Sequence, residues 1–158
     1  MKILGIDPGL KKTGWGLISV KENNISFIAS GTIKTNEKQP LHKRIVDIHQ
    51  GLIRVTELYK PNQAAIEETF INSNPVSSLK LGHARGVAML SLSLSKNIEI
   101  FEYSATAVKK AITGFGRADK NQIATMIKYL LPNSDSKTED ESDALAIAIC
   151  HNNHKIYR

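Results

Sequence analysis

Apolar residues run without polar interruption through Ile3-Leu4-Gly5-Ile6, which predicts a strand over residues 2–6 covered on both faces. Gly14 to Val20 reads as a second strand and Ile25 to Lys34 as a third, joined by a hairpin at Lys21-Glu22-Asn23-Asn24. Leu41, Ile45, Ile48, Leu52, Val55 and Tyr59 recur at alternating steps of 4 and 3, one face of a helix from about Pro40 to Tyr59 that Pro61 stops. Beyond it the pattern predicts a strand over Gln63 to Thr69, a helix of small and apolar residues over Ser77 to Ser95, and a strand over Ile98 to Tyr103. Ser104 caps a short helix to Ile112, Gly114-Phe115-Gly116 marks a mobile loop, and Asp119 caps a helix reaching Leu131. A polar stretch from Pro132 to Lys137 leads to a last helix starting at Thr138.

This order, βββαβαβα, implies an α/β fold with a five-stranded mixed sheet flanked by helices. The first strand pairs antiparallel with the second on one side. On the other it meets the fourth through a right-handed helical crossover, which makes those two parallel and gives the strand order 3-2-1-4-5. Open sheets of this kind bind ligands beyond the carboxyl ends of their strands, where the winding reverses, here between the first and fourth strands. Asp7 and Glu67 stand at those two ends.

Composition narrows the class. A chain of 158 residues fits one domain spanning 1–158, and 41% hydrophobic with 23% charged residues is ordinary globular usage. The longest apolar run, Ala144 to Cys150, is far short of a membrane span, and only four residues separate Lys2 from Asp7, too few for a signal sequence. A cytoplasmic location with no membrane partner is expected. One cysteine, Cys150, excludes an internal disulfide and points to core filling. The 21 basic against 15 acidic residues leave a net charge of +6, compatible with a polyanion partner, yet Asp7, Glu67, Glu68 and the group Glu139 to Asp143 are clustered. An acidic spot on a basic protein suggests metal ions.

Glu67 follows Ala64-Ala65-Ile66 much as Asp7 follows Leu4-Gly5-Ile6, so two neighbouring buried strands deliver carboxylates to one edge. Like charges so placed repel unless a cation or a proton joins them. In TEDESDALAIAIC, Thr138 and Glu141 form a capping box that sets Asp140 and Asp143 on one face of the last helix. Its dipole favours carboxylates there, which is a sufficient structural reason for any one of them. Asp143 is harder to account for in that way, because it directly precedes the buried part of the helix. Four oxygen ligands with no Cys or His pair at metal spacing point to Mg²⁺ or Mn²⁺, not zinc. Two such ions, with Asp7 as the bridging candidate, would serve phosphodiester hydrolysis.

GIDPG with TGWG, AIEETF, LKLGHARGVA, FEYSATAVKKAITGFGRADKNQ and DESDALAIAI together resemble the RuvC family of Holliday junction resolvases over nearly the whole chain. The resemblance implies a ribonuclease H-like fold and a homodimer that nicks two opposed strands of four-way junction DNA. It implies two Mg²⁺ ions per active site, with Mn²⁺ able to substitute, and partnership with the RuvA–RuvB branch-migration complex. The family's catalytic acids fall on Asp7, Glu67, Asp140 and Asp143, a functional lysine on Lys120 and a DNA-contacting one on Lys109; Lys110, Arg117 and Arg85 are further candidates for DNA contact. Glu68 answers to no acid of the family and is expected on the other face of its strand. The family's base-contacting aromatic falls on Phe70, for which core packing is the alternative, with Phe115 between two glycines as the alternative wedge. A solvated helix face is the plain reading of Lys109 and Lys110. Trp15 is assigned to packing, as is His83, and small residues on its helix suggest a dimer interface there. GIDPG also resembles the first phosphate loop of actin-like ATPases, which need a second lobe. A non-catalytic binder of branched DNA and an RNA-directed nuclease of the same fold are the other rivals.

Overall fold

The computed structural model describes residues 1–22, 24–68 and 74–155. Five strands, β1 (Lys2–Asp7), β2 (Lys12–Lys21), β3 (Asn24–Lys34), β4 (Gln63–Glu67) and β5 (Glu99–Tyr103), form one sheet in the order β3-β2-β1-β4-β5. β1 is antiparallel to β2 and parallel to β4, and β4 is parallel to β5, as the order of elements requires. Helices α1 (Leu41–Tyr59) and α2 (Pro75–Leu94) cover one face; α3 (Ala105–Thr113), α4 (Lys120–Leu130) and α5 (Glu139–Lys155) cover the other. This is the ribonuclease H-like arrangement.

Period-two alternation splits the strands between two cores. Leu4, Ile6, Ala64 and Ile66 pack with Ile48, Leu52, Ala84, Ala88 and Leu92 of α1 and α2. Ile3 and Ala65 face the other way, against Ile123, Ile127, Leu145 and Ile149. The β1–β4 register pairs Gly5 with Ala65 and Ile6 with Ile66, so Asp7 and Glu67 follow at the same level and on the α5 side of the sheet. The β2–β3 ladder slips by one residue at Leu17/Ile18, a bulge in the long hairpin.

Local signals explain the helix ends. Ser104 accepts from Ala107 N at 3.2 Å, and Asp119 accepts from Gln122 N at 2.9 Å while Gln122 returns the bond to Asp119 N, a full capping box. α1 ends where Lys60 turns into the left-handed region at φ 50°, one residue before Pro61. α2 starts at Pro75 and not at Ser77, because Asn74 accepts from Ser77 N and Pro75 takes the first helical position, where its missing N–H costs nothing. Where a loop is expected at 114–116, the chain forms a hydrogen-bonded turn: the Thr113 hydroxyl accepts from Phe115 N and donates to Phe115 O.

α5 is buried all round from Ala144 to Asn152, which is why no polar residue interrupts it from Ala144 to Cys150. It lies directly on the sheet over three glycines. A Cβ at Gly5 would stand 1.9 Å from the Ala144 carbonyl oxygen and 2.7 Å from Ala148 N; one at Gly14 would stand 2.1 Å from the Asp140 carbonyl oxygen; one at Gly16 would meet Leu145. The first two collisions are with helix backbone, which cannot rotate aside. Gly5→Ala therefore lifts α5 off β1 and is expected to cost more than about 3 kcal/mol. Urea unfolding with an unchanged slope and an unchanged midpoint would show that α5 does not sit this close.

Candidate active site

Asp7 is the last residue of β1, at the point where the chain turns through Pro8 and Gly9 into β2. That turn is tight: the Thr13 hydroxyl donates to Gly9 O at 2.9 Å, and a Cβ on Gly9 would stand 2.3 Å from the Lys12 carbonyl oxygen. Glu67 ends the parallel neighbour β4. Asp140 and Asp143 come from the start of α5, whose backbone at Asp140 lies over Gly14, the ladder partner of Asp7. Three elements thus bring four carboxylates to one edge.

Burial first of all pushes the Asp7 carboxyl up to about 8, and the charges of Glu67, Asp143 and Asp140 add to the shift, against a smaller pull from Lys120. Glu67 is raised by burial and by Asp143, opposed by Lys109 and Lys120. Asp143 is raised by burial and by Glu139 and Asp140, opposed by Lys120 and Lys109. The cluster holds more negative charge than its two lysines offset.

Not every acid of the Glu139 to Asp143 group belongs to it. Glu141 is buried, accepts from Ser30 Oγ at 2.8 Å, from Lys137 N at 3.2 Å and from Thr138 Oγ1 at 3.2 Å, and its own N–H bonds the Thr138 hydroxyl. Half of the expected capping box forms; the return bond goes to Lys137 N, and the carboxylate ties the head of α5 to β3. Glu139 is exposed and pairs with Lys120 Nζ at 3.0 Å. Lys12 Nζ stands 3.9 Å from Asp140 Oδ2. Neither ion pair has a signal in the sequence, since both join side chains far apart along the chain.

The remaining predicted residues scatter. Lys120, the first residue of α4, and Lys109, half-buried on α3, both act on the carboxylates. Lys110 and Arg117 are exposed on α3 and on the turn that follows it. Arg85, on α2, forms an ion pair with Glu102 of β5. Glu68 lies just past the strand end and donates its N–H to Tyr103 O at 2.8 Å. Trp15 packs over Gly31 and against Tyr59, ring centroids 5.7 Å apart, on the α1 face. His83 lies on α2 with its Nδ1 buried. Phe70 lies outside the described residues.

A family model, that of the crossover junction endodeoxyribonuclease RuvC, matches residues 3–151. The chain belongs to the RuvC family. It is 50% identical over 155 residues to the crossover junction endodeoxyribonuclease RuvC of Afipia carboxidovorans, covering 98% of this chain and 90% of that one. It is 48% identical to that of Nitrobacter hamburgensis, covering 98% and 91%. Among solved structures it is similar to Thermus thermophilus RuvC in complex with a Holliday junction substrate, with TM-score 0.90 and 28% identity over 98% of this chain and 94% of that one. The yeast mitochondrial Holliday junction resolvase shares the fold, with TM-score 0.66 and 15% identity over 94% and 76% of the two chains.

The four carboxylates are an all-oxygen donor set, and burial and like charge raise the proton affinity of Asp7, a chemistry that fits a hard divalent cation. The coordination itself is not formed: among the described residues no group of three or more His, Cys, Asp or Glu side chains is arranged to hold a metal ion. The pairing of Asp140 with Lys12 is one of the contacts that an ion at this edge has to compete with.

The shift on Asp7 fixes a sign for stability. Below its ordinary value of 3.8, folded and unfolded chains both hold the proton; between there and about 8 only the folded chain does, so stability falls as pH rises across that window. Asp7→Asn removes the penalty. In chelator at about pH 8 the variant is expected to melt about 3 °C or more above the parent, at ~2–4 °C per kcal/mol for a chain of this size. At about pH 4 the gap should close, and a variant that melts lower at both values would place Asp7 in a stabilising role.

Proposed function

We propose that the chain is a structure-specific endonuclease that resolves four-way (Holliday) DNA junctions by paired symmetric nicks, in homologous recombination and DNA repair, as one ribonuclease H-like domain spanning residues 1–158. The observation that carries the reading is the convergence of Asp7, Glu67, Asp140 and Asp143 on one sheet edge in a chain of the RuvC family. Its relatives are crossover junction endodeoxyribonucleases, and one structural neighbour is bound to a Holliday junction.

The four carboxylates of Asp7, Glu67, Asp140 and Asp143 are the groups that would hold two Mg²⁺ ions, or Mn²⁺ in their place. Bound ions of this kind activate a water and neutralise charge on the phosphodiester oxygens. The protein's own part is positional. Partial burial at the edge between the sheet and α5 lowers the local dielectric, which strengthens the attraction of the acids for a cation. Lys120, outside the carboxylate set and held by Glu139 at 3.0 Å, can hold the scissile phosphate against the edge. Lys109 faces the same acids from α3 and can bind a flanking phosphate. Lys110 and Arg117 extend the basic surface beyond the site.

Two opposed nicks call for two active sites, which we assign to a homodimer through α2. Leu79, Leu90 and Leu94 are exposed on that helix, and the space around Gly82 and Gly86 is open, as a close helix–helix contact requires. No helix of the described residues is long and apolar enough to cross a membrane, and a cytoplasmic location alongside a RuvA–RuvB branch-migration complex belongs to the same reading.

Nicking of a four-way junction compared with linear duplex and RNA of the same sequence tests the function. Asp7→Asn, Glu67→Gln, Asp140→Asn and Asp143→Asn are each expected to lose cleavage by about 10³-fold or more while keeping junction binding, since such groups act as a unit. Cleavage of duplex or RNA at the junction's rate overturns the reading.

The two lysines should part company. Lys120→Ala is expected to slow single-turnover cleavage about 10²-fold at saturating protein, whereas Lys109→Ala weakens binding and lowers its salt slope by about one phosphate contact. Normal cleavage by a saturated Lys120→Ala variant would reduce Lys120 to an ordinary phosphate contact.

A further inference from the structure

Phe115 is 76% exposed, on a turn that is otherwise well tied down. Its N–H bonds Thr113 Oγ1 at 3.2 Å, and its carbonyl accepts from Thr113 Oγ1 at 3.0 Å and from Ala118 N at 3.4 Å. Gly114 before it closes α3 in the left-handed region at φ 80°, which an L side chain rarely adopts. Gly116 after it lies so close to α3 that a Cβ there would stand 2.8 Å from Thr106 Cγ2. That contact brings the turn back to the first turn of α3, at the carboxyl end of β5 and so at the edge that carries the acids. Single exposed hydrophobic residues are ordinary, but a large aromatic ring held outward by fixed backbone at a polar edge is not.

The surroundings indicate what the ring meets. Phe115, Arg117, Asn121, Gln122, Thr125 and Met126 line an open cleft of about 580 Å³. Lys110 and Arg117 beside it are exposed and make no ion pair among the described residues; Lys120 opens α4 on the same side. Asp119, the acid of the turn, is occupied in capping α4. An aromatic platform flanked by unpaired cations and amide groups suits an unstacked base with its phosphates on either side.

We propose that the α3–α4 turn is a nucleobase-binding site, in which the Phe115 ring stacks on a base left unpaired or splayed at the junction centre while Lys110 and Arg117 take the adjoining phosphates. This rests on the junction-resolving reading above and adds to it a contact that none of the four acids makes. Phe115 is not a catalytic residue here; it selects and positions branched DNA.

The test uses the full chain in chelator, so that binding is read without cleavage, with a junction carrying 2-aminopurine next to the crossover and a linear duplex of the same sequence. Phe115→Ala is expected to lose roughly tenfold in junction affinity with little change for duplex, and to abolish the change in 2-aminopurine fluorescence that the parent produces. Phe115→Trp should retain both. Unchanged junction affinity and unchanged fluorescence in Phe115→Ala overturn the proposal, as does a fall in self-association with per-dimer affinity intact, which assigns the ring to a protein contact. A parent chain that binds the junction no better than duplex overturns the function reading itself, which separates that failure from this one.

Discussion

The distance between α5 and the sheet sets nearly everything else. Residues 5, 14 and 16 lack side chains, so the helix backbone descends onto β1 and β2 until the Ala144 and Asp140 carbonyls occupy the space their Cβ atoms would need. With that contact made, Asp140 lies over the ladder partner of Asp7, and Asp143 follows one turn later. Glu141 secures the same helix end sideways, through Ser30 on β3, and Thr32 reaches the Thr138 hydroxyl at 3.2 Å. The geometry of the acid edge is a consequence of packing, and side chains added under the helix would disperse the acids without touching one of them.

That packing has an electrostatic cost. It draws carboxylates into a half-buried place where water solvates them less and where their neighbours' charges raise the proton affinity of Asp7, Glu67 and Asp143. Lys109 and Lys120, each on its own helix, offset part of this, and on Asp7 the pull of Lys120 is the smallest of the contributions. Natural chains keep such arrangements where function demands them, because replacing the acids with amides would leave the fold easier to make. Divalent ions at this edge would reverse the balance, so stability and activity should respond to the same ligand.

Strand order, the two-faced core and the caps at Ser104 and Asp119 were legible in the sequence because each depends on residues close together in the chain or on strong periodicity. The places of Asp7 and Glu67 at one sheet edge followed from the same patterns, although β4 ends at Glu67 and not at Thr69. The start of α2 was placed two residues late although Asn74-Pro75 is a recognisable cap and first helical position. What periodicity could not supply were contacts between side chains on different elements: Lys120 with Glu139, Lys12 with Asp140, Arg85 with Glu102. The buried role of Glu141 was likewise hidden, since a capping box accounts for a glutamate at that position without any neighbour on β3.

Lys120 shows how such a residue can still betray itself. It occupies the first position of α4, next to the positive end of the helix dipole, where a cation is disfavoured by about 0.3–1 kcal/mol and an acid would be preferred. The capping box of Asp119 and Gln122 gives the helix end what it needs without help from the lysine. Its placement makes sense only from outside the helix: Glu139, Asp143 and Asp7 all hold its ammonium group charged and near the carboxylates. A residue that opposes its own element and agrees with a cluster on another is where local and functional demands conflict, and in this chain the conflict falls on the one cation that α4 carries to the acid edge.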